Sequence, residues 1–198
     1  MLRPTYPLRT ARLLLRPFGD DDLDAMHDIY SRGDVTRYLY WEPRTWDEAH
    51  EMLARRKQET AIETEGDGLH LAAQLHDSPD LIGHVSIRWV SEEHRQGEIG
   101  FVIHPDHQGR GYATEASAVV LRLGFDGLDL HRIVGRCDGR NAVSARVMER
   151  LGMRPEAHLH ENEFIKGEWT DELVYAILAD EWRAAASQVG SPGGSAGT

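Results

Sequence analysis

Gln108-Gly109-Arg110-Gly111-Tyr112-Ala113, preceded by His104-Pro105-Asp106-His107 and followed by Thr114-Glu115-Ala116, is the stretch on which the reading of this chain turns. Upstream, Glu98 to Ile103 alternates in the manner of a strand. Downstream, Ala116, Val119, Val120 and Leu123 recur at the spacing of a one-sided helix. The stretch therefore reads as strand, Gly-containing turn, helix. Glycines let the backbone adopt otherwise closed conformations and let a ligand approach it. A helix N-terminus has unpaired N–H groups and partial positive charge, so the turn suits an anion. A dinucleotide fingerprint fails because Thr114 replaces its third glycine, and a P-loop fails because neither Lys57 nor Lys166 follows the turn. The pattern that fits is Q-x-x-G-x-A.

The surrounding composition narrows the class of protein. A chain of 198 residues with 40% hydrophobic content suits one domain with a substantial core. No apolar run approaches a bilayer span, and the opening Met1-Leu2-Arg3-Pro4 lacks a signal-peptide apolar region. A single cysteine, Cys137, excludes an internal disulfide. A cytoplasmic protein is expected, with no membrane association. The net charge of −11 argues against nucleic-acid binding and is compatible with cationic substrates. Eleven histidines invite a metal, with His104 and His107 beside the turn and His158 and His160 alternating on a strand. No H-E-x-x-H and no clear ligand set accompanies them, so no metal is expected.

Taken in order, Thr10 to Phe18 predicts a first strand and Asp20 to Ser31 a helix with Leu23, Met26 and Tyr30 on one face. A short helix is expected over Asp34 to Leu39. Tyr38, Tyr40 and Trp41 then either pack into the core or wall an acceptor cleft. Thr45 and Glu48 form a capping box for a helix running to about Thr60. Strands at 69–75, 81–90 and 97–104 on short turns predict an antiparallel meander. After the central helix come a strand at 131–137, a helix capped by Asn141 and ended by Gly152, and a strand pair, Met153 to Phe164 and Asp171 to Asp180. The composition from Ala184 onward predicts a disordered tail over 184–198. The whole is one α+β domain over residues 8–183. Its helix crossover after the meander predicts one parallel strand pair in an otherwise antiparallel sheet.

This order, with the Q-x-x-G-x-A turn, resembles the GCN5-related N-acetyltransferases (GNAT). Thr10-Ala11-Arg12-Leu13-Leu14-Leu15-Arg16, Glu98-Ile99-Gly100-Phe101, Asn141-Ala142-Val143-Ser144-Ala145-Arg146 and Leu151-Gly152-Met153 are similar to the RimJ/RimL branch, as is the segment Gly167 to Ala176 with Trp169. The resemblance implies a mixed, mostly antiparallel sheet of six to seven strands flanked by helices. It also implies acetyl transfer from acetyl-CoA to a primary amine by direct attack, most readily the N-terminal α-amine of a protein or peptide. A small amine or aminoglycoside is the alternative acceptor, and a non-catalytic CoA-binding regulatory domain the alternative of another class. A homodimer is left open.

The resemblance also assigns residues. Gln108, Gly109, Arg110, Gly111, Tyr112 and Ala113 would hold the pyrophosphate, with Asn141 and Ser144 also against the coenzyme. A backbone N–H at Val102 or Ile103 would meet the thioester oxygen. Ser144 would assist the leaving thiolate, or only cap its helix. Glu163, and secondarily Glu98, would take the proton of the amine, or be solvated strand residues. Tyr38, Tyr40, Trp41, Glu98 and Trp169 would meet the acceptor. Cys137 is either an acyl-carrying nucleophile or packing, the second being the usual fate of a lone cysteine on an apolar strand.

Overall fold

Leu13 and Leu15 are fully buried while the alternate residues Leu14 and Arg16 are partly exposed, and this period of two recurs in the chain's strands. The computed structural model describes residues 1–189. Its strands are β1 (Leu8–Arg9), β2 (Leu13–Arg16), β3 (Gly68–Leu75), β4 (Leu81–Ser91), β5 (Gln96–Ile103), β6 (Arg132–Asp138), β7 (Arg154–Ile165) and β8 (Glu168–Leu178). Its helices are α1 (Leu23–Tyr30), α2 (Gly33–Thr36), α3 (Trp46–Arg56), α4 (Tyr112–Arg122), α5 (Ala142–Arg150) and α6 (Ala179–Val189). One sheet in the order β1-β2-β3-β4-β5-β6-β8-β7 joins all eight strands, where six to seven were expected, the added piece being the two-residue β1.

The alternation of the strands feeds two cores, one on each face of the sheet. Leu69, Leu71, Val85, Ile87, Ile99 and Ile133 pack with Ala116, Val120 and Leu121 of α4 and with Met148 of α5. On the opposite face Ala72 and Leu81 pack with Met26 and Ile29 of α1 and Met52 and Leu53 of α3, and Val102 lies against them. The result is the three-layer α+β arrangement anticipated.

The parallel pair decides where a ligand can enter. β5 and β6 are in register only from Gln96 opposite Arg132 to Ile99 opposite Gly135. Beyond that point Gly100 to Ile103 pair with β4 alone, and Arg136 to Asp138 pair with β8 alone. The two strands therefore part and leave a wedge between them, with unpaired backbone along the β5 edge.

Several boundaries moved for local reasons. The Thr45 capping box forms, Glu48 N–H donating to Thr45 Oγ1 at 3.3 Å and Thr45 N–H donating to Glu48 Oε2 at 2.8 Å. α3 stops at Arg56 rather than Thr60 because Gln58 and Glu59 turn back onto Arg55 and Arg56 and the Glu59 carbonyl accepts from His70 N–H in β3. β8 yields to α6 at Ala179, where Glu181 accepts the Leu178 N–H at 2.8 Å and Trp182 stacks on Phe125. The expected tail is thus helical as far as Val189, and residues 190–198 lie outside the described residues. No helix among the described residues is long and apolar enough to cross a membrane.

Candidate active site

The Gly109–Ala113 turn enters α4 through two left-handed glycines, Gly109 at φ +74° and Gly111 at φ +82°, the latter at the helix N-cap. A side chain on Gly109 would meet nothing within 4 Å, and one on Gly111 would meet only Arg12 Nη2 at 3.5 Å. The space in front of the turn is open, as a pyrophosphate lying on these amides requires.

The turn is braced from outside by residues whose role the sequence did not disclose. Glu115, in the first turn of α4, accepts from Thr10 Oγ1 at 2.6 Å and from Arg12 N–H at 2.9 Å on one oxygen, and from Arg12 Nε at 2.7 Å on the other. Arg12 Nη1 also donates to the Arg110 carbonyl at 2.9 Å, and the guanidinium lies 4.6 Å over the Tyr112 ring. Partial burial pushes the Glu115 carboxyl up, but the hydrogen bonds from Thr10 and Arg12 outweigh it and hold the pKa below the usual range. Arg110 itself is exposed, with its carbonyl rather than its side chain fixed. Gln108 spends its side-chain amide on the Ile103 carbonyl, at 2.8 Å. His104 donates through Nε2 to Asp28 and accepts the Asp106 N–H at Nδ1, so it ties the turn to α1.

Three cavities run in series from this turn. The first, about 330 Å³, lies between Gly109, Gly111 and Tyr112 on one side and Val143, Arg146 and Arg150 on the other. Arg146 and Arg150 are one helical turn apart on α5, an i,i+4 spacing visible in the sequence but not used there. The second, about 160 Å³, is bounded by Val102, Ile103 and Ala113 and by Asn141 and Ser144. The third, about 230 Å³, is lined by Tyr38, Tyr40, Trp41, Glu98, Arg136, Ser144 and Glu163. Ala113 borders the first two and Ser144 the last two, so a chain-like ligand could thread past both. Asn141 Oδ1 accepts the Ser144 N–H at 3.1 Å, so the asparagine caps α5 and the serine side chain is left beside the passage. His104 N–H donates to Ile82 on β4, and strand alternation then turns the Ile103 N–H, not that of Val102, to the open edge.

At the third cavity Arg136 is held between two carboxylates, Glu98 in the lining and Glu172 behind it. Arg136 lies 3.1 Å from Glu172, which is buried, and its Nε is 3.6 Å from Glu98. Desolvation raises the pKa of Glu98, against the pull of Arg136 and Arg88. Desolvation, with Glu172 nearby, also raises that of Glu163, although a hydrogen bond with Tyr40 works the other way. Partial burial of its hydroxyl end and the neighbouring Glu163 and Glu172 raise the pKa of Tyr40, which stays protonated at neutral pH. At the inner end burial pushes His84 down to about 3 and His70 to about 2, with Arg56 adding to both, so the two rings are neutral. Tyr30 and His84 share a hydrogen bond of 2.9 Å, whereas Trp41 Nε1 and His70 Nδ1 are buried without a hydrogen-bond partner among the described residues.

Two expected residues behave differently from the rest. Burial, then Asp138 and Glu172, pushes the Cys137 thiol up to about 11, so it is a poor nucleophile although it lines the cleft. Trp169 is 60% exposed and packs edge-on against Phe164 at the β7–β8 hairpin, outside the cleft lining.

A splayed strand pair, an open left-handed turn at a helix N-terminus and three cavities in series leave room for one extended ligand. Residues 12–154 match the family model for an acetyltransferase (GNAT) domain. The chain belongs to that family, and is an acetyl-CoA-dependent N-acetyltransferase. It is 35% identical over 175 residues to the uncharacterized N-acetyltransferase YnaD of Bacillus subtilis (strain 168), covering 88% of this chain and 98% of the relative. A GNAT-family acetyltransferase structure from Bacillus anthracis superposes with a TM-score of 0.78 at 31% identity, covering 91% of this chain and 99% of the other. Spermidine N-acetyltransferase from Vibrio cholerae, solved in complex with CoA and spermine, superposes with a TM-score of 0.74 at 26% identity over 88% of this chain and 99% of its own.

Proposed function

We propose that this enzyme acetylates a primary amine of a small cationic acceptor, a polyamine or an aminoglycoside amine, by direct attack on the acetyl thioester. The observation that carries this reading is that Glu98 and Glu163 line one cleft with Tyr38, Tyr40 and Trp41, while the Arg136 between them is already paired with the buried Glu172. Surplus negative charge in a partly desolvated cleft attracts and orients ammonium groups. The relative solved with CoA and spermine supports the same chemistry.

Acetyl-CoA, when bound, supplies the thioester. The Gly109–Ala113 amides would hold its pyrophosphate, with Arg146 and Arg150 facing them across the first cavity. An alkylammonium with a pKa of roughly 10 must lose a proton before it has a lone pair to attack with. Glu163 accepts that proton; its raised pKa makes it a better base than an ordinary surface glutamate, and the Tyr40 hydroxyl orients it. Glu98 is the lesser candidate, because it is drawn towards Arg136. As the N–C bond forms and the C–S bond breaks, the Ile103 N–H meets charge on the thioester oxygen; the proton that the nitrogen then sheds ends on the departing thiolate, which the Ser144 hydroxyl hydrogen-bonds.

The N-terminal α-amine of a peptide is the second reading, favoured by Tyr40, which is 57% exposed at the mouth and would admit a chain end. Free CoA release, measured with acetyl-CoA against panels of polyamines, aminoglycosides and peptides, separates the readings. Turnover of small polycations is expected. Turnover of peptides alone, requiring a free N-terminus, would transfer the assignment to the second reading. Tight CoA binding with no release above hydrolysis in any panel would sink both.

A further inference from the structure

His158 and His160 share one side of β7, and the strand geometry alone would leave residues two apart separated by about 6.6 Å. Their ring centroids lie 4.3 Å apart. An irregularity lies just beyond them. The β7–β8 register shifts between Leu159 and Glu163, and Glu161 adopts φ +48°. The same bend points the Glu161 N–H at Asp171 of β8, onto Oδ1 at 2.9 Å. That bond leaves Oδ2 of Asp171 facing both imidazoles, 2.7 Å from His158 Nε2 and 3.0 Å from His160 Nδ1. The three atoms lie within 4.8 Å of one another. The backbone of Asp171 is held independently, its carbonyl accepting the Gly139 N–H at 2.8 Å.

We propose that His158, His160 and Asp171 form a binding site for a divalent transition-metal ion of the zinc type, which clips the edge strand β7 to β8. Two imidazoles and one carboxylate are a borderline-soft donor set that suits zinc, nickel(II) or copper(II) over magnesium or calcium. Tetrahedral zinc with bonds of 2.0–2.2 Å places its ligand atoms about 3.3 Å apart, so small side-chain rotations from the present positions suffice. All three side chains reach solvent, which gives the ion a path in and leaves its remaining position to water. The sequence offered no ligand set because Asp171 is eleven and thirteen residues from the two histidines and meets them only across the hairpin. The site lies outside the acceptor cleft and does not depend on the acceptor reading.

The test uses the whole chain without an affinity tag, stripped by chelator and titrated first with cobalt(II) and then with zinc(II). One equivalent of cobalt is expected to give a saturable visible absorption band that zinc displaces, and zinc is expected to raise Tm to a plateau. His158→Ala and His160→Ala should each weaken binding at least about tenfold, comparable to or beyond the loss from deleting a supporting residue of a metal site. His160 is largely exposed, so its variant should fold and keep its acetyl-CoA thermal shift. Absence of a saturable cobalt band overturns the proposal. So does binding that is unchanged in both histidine variants, or that is lost instead in His104→Ala. Asp171→Asn should lose binding as well; if it fails to fold, the histidine variants decide.

Discussion

The coenzyme turn and the acceptor cleft share a passage but are built from different materials. At the turn, the proposed ligand-facing groups are backbone amides, and the side chains of Arg12, Thr10, Glu115 and Gln108 hold the loop by hydrogen bonds. At the cleft, the lining groups are side chains drawn from β3, β4, β5, β6, β7 and the Tyr38–Trp41 segment. A backbone site demands particular residues at particular positions, since only glycine accepts φ near +80° without strain. A side-chain site demands only that suitable groups meet in space. The first leaves a local motif, and the second does not.

The sharpest way to break the contrast is at the turn. Gly111→Trp combines a strained φ with an indole in the open space, and acetyl-CoA affinity should fall by a hundredfold or more, about 3 kcal/mol. Calorimetric titration checks this, and near-normal affinity would show that the pyrophosphate lies elsewhere.

Next comes the cleft base. Glu163→Gln should lower kcat about a hundredfold, the lower end for general base catalysis, with acetyl-CoA affinity unchanged. The sign of the pH effect follows from the raised pKa of Glu163. The carboxylate is a base only when deprotonated, so wild-type activity falls as pH drops through that elevated value. The Gln variant should lose this acid limb. If Glu98→Gln flattens the limb and Glu163→Gln leaves it, the roles are reversed.

Removing the brace behind the turn should be milder. Glu115→Gln abolishes the charge that organises Arg12, and we expect about a tenfold loss in acetyl-CoA affinity, roughly 1.4 kcal/mol, with kcat at saturation preserved. A fall in kcat alone would mean that Arg12 and Glu115 serve the chemistry instead. Ser144→Ala should reduce kcat about fivefold to tenfold with little change in KM for acetyl-CoA, if its hydroxyl acts only as the C–S bond breaks. Smallest of all, Trp169→Ala should alter kcat/KM less than about twofold, because the indole stands outside the cleft. A large effect there would extend the acceptor site onto the hairpin.

Particular residues show how far the sequence carried. Gly109 and Gly111 were legible because the backbone conformation they permit is a property of the residue itself. The Asn141 and Thr45 caps were legible for the same reason, since each acts within three positions of its own backbone. Arg12 lies in the Thr10–Arg16 motif, yet its work lies on Glu115, over a hundred residues away, and no spacing rule spans that distance. Trp169 was placed with the acceptor by resemblance, whereas the hairpin turns it outward against Phe164.

By itself, then, the sequence determined the order of the elements from β2 to β8, the Gly-containing turn into α4 and the α+β class, because each follows from local periodicity, capping and backbone freedom. Only the tertiary structure decided that β5 and β6 part after Ile99 and Gly135, that Glu98 and Glu172 share one arginine, and that Asp171 meets His158 and His160. The physical reason is the same in all three cases. Pairing register, desolvation and ligand geometry are relations between strands distant in sequence, and they exist only once the sheet has brought those strands together.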